Sequence, residues 1–160
     1  MILKTGWREA VIVSGNLRSE IMEIGELTEK LNKALAWELR AINMYAHYSA
    51  YVKGIHRLHL SAHFKQESDE SLVHADTVRC AIVKLGGIAI TERDQTPIIH
   101  STSYKEMLEQ ALQTEIGAAK TYGDLLKIIE ENGDKELYDS IEAIYFAEVR
   151  SVEEMRMLMA

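Results

Sequence analysis

The sequence is short of everything that breaks a helix or cross-links a chain. Its 160 residues include one proline and one cysteine, and aromatic side chains make up only 7%. With so few breakers and a surplus of Ala, Leu, Ile, Glu, Lys and Met, the expected fold class is all-α. A single cysteine excludes an internal disulfide framework and a cysteine-rich zinc site. Cys80 lies in the apolar context VRCAIV and is expected as a small buried hydrophobe. No apolar run approaches the roughly 18 residues of a membrane span. The N-terminal MILKTGWREAVIV contains Glu9 and no long apolar stretch, which makes it a poor signal peptide. Positive charge is also in deficit: the net charge of −7 argues against a nucleic-acid partner. These absences predict a cytoplasmic protein with neither a membrane nor a nucleic acid as partner.

The helical periodicity divides the chain in two. Residues 1–22 hold short apolar pieces and a Ser14-Gly15-Asn16 turn signal, and are expected to be an irregular N-terminal extension. Residues 23–160 carry four apolar stripes with steps of three and four, predicting helices over 25–53, 56–85, 103–131 and 135–158. Gly54 and the Gly86-Gly87 pair stop the first two. About 15 residues, GGIAITERDQTPIIH, separate helices two and three. A loop that long can carry the chain the length of a bundle, so that these two helices run parallel.

The chemistry lies inside the stripes. Glu38 interrupts the first stripe and Glu115 the third, while Glu67, Ser71 and His74 share one face of the second. A buried carboxylate is strongly unfavourable unless it is paired or bound to a cation. In a four-helix bundle, mid-stripe positions meet at one level, and glutamates plus Glu-x-x-His motifs at that level form a carboxylate-bridged two-iron site. Carboxylates are hard ligands that can bridge two cations, and imidazole adds a neutral donor. The periodicity of helix four admits either Ala147 or Glu148 in the core.

LNKALAWELRAINMYAHYSA, ESDESLVHAD and LQTEIGAAKTY resemble the first-, second- and third-helix motifs of bacterioferritins. The resemblance covers roughly residues 25–158. It implies a ferritin-like four-helix bundle with a long crossover between helices two and three, two-fold dimers, a shell of about 24 subunits and iron storage with ferroxidase activity. Residue by residue, it implies metal ligands at Glu38, His74 and Glu115. The second-helix bridging glutamate falls on Ser71, and the fourth-helix Glu-x-x-His falls on Ala147 and Arg150. The resemblance therefore implies a degenerate di-iron site, impaired or absent, with Arg150 turned inward to pair with Glu115. The haem methionine falls on Leu72, so a haem ligand is missing there.

Three readings follow. The first is a bacterioferritin-like storage or detoxification subunit with a degenerate site, working alone or beside an active partner subunit. The second is a structural or binding protein that kept the bundle without the iron. The third is an enzyme with a rearranged metal site in which Glu67 and Glu148 serve as substitutes. Glu67 and Glu70 are also expected as solvated faces or as mineral-nucleating acids inside a shell. Tyr45, Tyr48 and Tyr122 are expected as core packing. His47, His56, His59 and His63 point to different faces and make no cluster by helical spacing.

Overall fold

The computed structural model describes the backbone of residues 6–132 and 134–160, and the side chains of residues 23–131 and 134–160. The described residues form four helices: α1 (Gly6–Tyr51), α2 (Arg57–Lys84), α3 (Tyr104–Asn132) and α4 (Lys135–Met159). Helix α1 therefore starts well before the expected position 25. Residues 6–22, expected to be irregular, are helical, and only residues 1–5 of that stretch lie outside the described residues. No proline falls between 6 and 51, so the Ser-Gly-Asn signal lowers helix propensity without interrupting the hydrogen-bond ladder.

Helix α1 packs chiefly against α2, and α3 against α4. Helix directions follow from paired residues. Ser49 Oγ bonds Ser61 O, and Ser68 Oγ bonds Ile42 O, so α1 and α2 are antiparallel. Tyr45 meets Glu115 and Tyr122 meets Glu38, so α1 and α3 are antiparallel too. Helices α2 and α3 are therefore parallel, as the long connection predicts. Leu85 closes α2: Gly86 N–H bonds Val83 O at 3.0 Å and Gly87 N–H bonds Ile82 O at 2.9 Å. Gly86 sits at φ +79°, a conformation that residues with a Cβ seldom adopt. The side chain of Asp134 caps α4 by accepting from Leu137 N–H at 3.0 Å.

The crossover between α2 and α3 has no regular structure of its own, and α1 supplies its hydrogen bonds. Asn32 donates to Ile88 O and accepts from Ile90 N–H, both at 2.9 Å. Asp94 N–H bonds Ala36 O, and the Tyr48 hydroxyl bonds Ile99 O. Between these points Arg40, buried, donates to Thr96 O at 3.0 Å and Pro97 O at 2.9 Å. Backbone groups that would otherwise be orphaned are thus satisfied along the length of the bundle.

The apolar core is in two parts. Leu31, Leu35, Val78, Ile82, Leu125, Ile129 and Ile141 anchor one cluster. Met44, Tyr45, Tyr48, Phe64, Met107, Leu108 and Met155 anchor the other. Between them lies a polar layer. One expectation fails outside it: Cys80 is exposed, because Val78 and Ile82 take the inward face of α2 and turn the residue between them outward.

Candidate metal centre

Each helix contributes an acid to the polar layer: Glu38 from α1, Glu67 from α2, Glu115 from α3 and Glu148 from α4, all buried, together with His74 from α2. Oxygens of Glu38 and Glu148 and a ring nitrogen of His74 all lie within 4.8 Å of one another. His74 Nδ1 is 2.8 Å from Glu148 Oε1 and 3.5 Å from Glu38 Oε1. Neither oxygen is aligned as a hydrogen-bond partner, which leaves a buried ring nitrogen facing two carboxylates. On its other side, Nε2 lies 3.8 Å from Glu70 Oε1, beyond hydrogen-bond distance.

Two tyrosines hold carboxylates of the layer. Tyr122 donates to Glu38 Oε1 at 2.6 Å, and Tyr45 donates to Glu115 Oε1. Their hydroxyls are held well above the ordinary tyrosine range, by burial first and by the carboxylates beside them second. Core packing was the expected role for both; each also fixes a carboxylate. Tyr48, by contrast, points its hydroxyl at the crossover.

Burial dominates the electrostatics. It pushes Glu38, Glu115 and Glu148 upward, Glu115 further through the charge of Glu148. Glu67 is raised to about 7, by burial and then by Glu115. Burial alone would lower His74, but Glu148 and Glu38 outweigh it and hold the imidazole at about 10. Among the described residues, no lysine or arginine pairs with any of the four acids.

These shifts fix a pH dependence for the metal-free protein. A raised folded-state pKa contributes stability below the unfolded value, and that contribution is lost as pH rises through the folded one. For Glu67 the loss runs from about 4.5 to about 7, and for His74 from about 6.5 to about 10. Both act in one direction. His63, lowered by burial, opposes them below about 6.5, while Asp94 and Asp124 are held below the ordinary range and titrate outside this window. With chelator present, Tm is expected to be at least about 3 °C higher at pH 5.5 than at pH 8.5. A thermal melt followed by circular dichroism checks this, and an equal or higher Tm at pH 8.5 contradicts it.

The structure departs from the expected register of helix four. Arg150 lies on the exposed face of α4, and no ion pair joins it to Glu115 among the described residues. Glu115 faces Tyr45 and Glu148 instead. Ala147 and Glu148 are both buried, and the carboxylate reaches the layer. Three residues on from Glu148, Ser151 donates to Glu67 Oε2 at 3.1 Å, a contact that sequence reasoning missed. The inward steps Ile141, Ile144, Glu148, Val152 and Met155 carry the signal for this register. Ser71 is buried beside His74, and Leu72 lies on the exposed side of α2.

The donor set suits a first-row divalent cation. Hard carboxylates neutralise its charge, an imidazole supplies one nitrogen, and that nitrogen is without an aligned partner. Glu38, His74 and Glu148 surround one position. Glu115, which lies against Tyr45 and Glu148, and Glu67, which accepts from Ser151, add further buried oxygen atoms to the same layer.

Fold and centre together define a crossover four-helix bundle with a carboxylate–imidazole layer at mid-height. Residues 28–160 match the Ferritin family, described as a ferritin-like domain, and the chain belongs to that family. It is 29% identical over 119 residues to a bacterioferritin of Brucella melitensis, covering 72% of this chain and 73% of the relative. It is 27% identical over 109 residues to a bacterioferritin of Desulfovibrio desulfuricans, covering 68% of this chain and 60% of that one. A crystal structure of a ferritin-like, diiron-carboxylate protein from Bacillus anthracis superposes with a TM-score of 0.82 at 32% identity, covering 86% of this chain and 98% of that one. A crystal structure of the D. desulfuricans bacterioferritin gives a TM-score of 0.79 at 23% identity over 86% of this chain and 80% of that one, a likeness of fold. Among the described residues no helix is long and apolar enough to cross a membrane.

Proposed function

We propose that this chain is an iron storage or detoxification subunit of the bacterioferritin type, with a rearranged and impaired two-metal centre. One observation carries the reading: four buried carboxylates share a polar layer between two apolar clusters, Glu38 and Glu148 facing the imidazole of His74, with no lysine or arginine paired to them among the described residues. That surplus of negative charge is unfavourable in a low-dielectric interior, and bound cations offset it. The bacterioferritin relatives and the diiron-carboxylate neighbour support iron as the cargo.

Ferrous iron is the substrate, and dioxygen takes the electrons it gives up. Glu38, His74 and Glu148 bind and orient one ion, and Tyr122 holds the Glu38 carboxylate in place. Glu148 sits between the two positions, 2.8 Å from His74 Nδ1 and in contact with Glu115. Glu115, Glu67 and Ser151 line the second position. The impairment lies in what is missing there: Ser71 and Ser151 offer neutral hydroxyls in place of a bridging carboxylate and a second imidazole. We further infer two-fold dimers within a shell of about 24 subunits in the cytoplasm, with residues 1–22 as an extension outside the bundle domain. Storage then proceeds on acids lining the shell or through an active partner subunit.

The test is aerobic oxidation of ferrous iron followed by ferric absorbance. The unmodified chain is expected to exceed the buffer rate, and the Ser71→Glu/Ser151→His double variant to run at least about tenfold faster. Equal rates for the two would remove the impairment. A chain that binds no ferrous iron anaerobically and sediments as a dimer would instead be a structural member of the family.

A further inference from the structure

Outside the centre, the crossover brings together two histidines that the chain separates by 53 residues. His47 Nε2, on α1, lies 2.9 Å from His100 Nδ1, at the end of the crossover. Tyr51, one turn along α1, packs against both rings, with centroids 4.5 Å from His47 and 4.8 Å from His100. We propose that His47 and His100 form a surface binding site for a borderline divalent cation such as Zn2+, independent of the carboxylate centre.

The donor atoms are already paired. Two zinc–nitrogen bonds of about 2.0–2.1 Å at a tetrahedral angle set the nitrogens about 3.3 Å apart. The observed separation therefore needs to open by about 0.4 Å, with the two rings turning so that both lone pairs converge on the ion. In the hydrogen bond one ring holds a proton between the two nitrogens. When the ion enters, that proton moves to the outer nitrogen of the same ring, and both neutral imidazoles present lone pairs. No net proton is released, and water completes the coordination.

The scaffold is fixed on both sides. His47 sits inside a long helix, next to the buried Tyr48, whose hydroxyl bonds Ile99 O at 3.0 Å and so anchors the residue before His100. After His100, the Ser101 hydroxyl accepts from Ser103 N–H at 2.9 Å. A site held by rigid neighbours loses little freedom when it closes on an ion. The chemistry selects the ion as well. Imidazole suits zinc, copper and nickel, whereas calcium and magnesium favour oxygen. The carboxylate centre, with one nitrogen among acids, is the harder of the two donor sets and binds its cation separately.

Zinc titration of the full chain by calorimetry tests this, using His47→Ala, His100→Ala, the double variant and His74→Ala. Both histidines are at the surface of the bundle, and far-UV circular dichroism checks that the variants fold. Each single surface variant is expected to lose the same zinc equivalent per chain, or to bind it at least about tenfold more weakly. The double variant is expected to lose no more than either single one, and His74→Ala to retain that equivalent. Unchanged zinc stoichiometry and affinity in both His47→Ala and His100→Ala would overturn the proposal. So would anomalous density at the zinc edge that appears in the centre and not between the two rings.

Discussion

Exchanging Glu148 for glutamine is expected to weaken divalent metal binding at the centre by at least about a hundredfold, with the bundle still folded. Glu148 is the acid that touches both halves of the layer, through His74 Nδ1 at 2.8 Å and through Glu115. An amide keeps its volume but removes the charge and half of the acceptor capacity, so an ion at either position loses a ligand. Anaerobic calorimetry with ferrous iron measures the loss directly. Binding within threefold of the unmodified chain would show that the centre does not run through Glu148.

Glu115→Gln makes an informative partner for it. The glutamine carbonyl can accept from Tyr45, and its NH2 can donate to Glu148, which reproduces the protonated form of the buried acid. The metal-free variant is therefore expected to melt higher than the parent above pH 8, with the difference shrinking toward pH 5.5. A variant that melts lower across this range would contradict the buried-charge account of the layer. Metal affinity falls here as well, which separates the stability of the empty bundle from the strength of the centre.

The second large effect concerns Arg40. It is 3% exposed, and its guanidinium donates to Thr96 O, Pro97 O and, at 2.7 Å, Thr114 Oγ1. Its partners are two crossover carbonyls and a hydroxyl of α3. Hydrogen bonds from a charged donor contribute about 1.5–3 kcal/mol each, and a buried acceptor left unpaired is destabilising in its own right. Arg40→Ala is expected to lower stability by about 3–5 kcal/mol, or Tm by about 10 °C. Arg40→Lys should recover less than half of it. An ammonium is a compact donor that cannot span both carbonyls and the threonine as the planar guanidinium does. A Tm within 2 °C of the parent in Arg40→Ala would mean that the crossover is held by its other contacts.

Much of the architecture was legible from residue types and spacing. Steps of three and four put Glu38, Glu67, His74 and Glu115 on inward faces, and all four are buried. The stretch from Gly86 to His100 was long enough to span a bundle, and it does so. Other features were not legible because they depend on a neighbour. Arg40 reads as an ordinary helix-surface residue until the crossover lies across it. His47 had no partner within its own helix, because His100 arrives from the loop. Cys80 looked apolar by its flanks, whereas its angular position on α2 decides its exposure.

What the sequence determined by itself is the set of helices and the level at which their acids meet, since a period of 3.6 residues assigns each side chain a direction on its own helix. What only the tertiary structure decided is the rotation of α4 and the path of the crossover. Ala147 and Glu148 are about 100° apart, and both fall within the arc that faces a bundle axis. Local periodicity admits both, and Val152 among the inward steps is the sign in the sequence that favours Glu148. The choice comes from packing of α4 against α2 and α3, which brings Glu148 to His74 and Ser151 to Glu67 and leaves Arg150 in solvent.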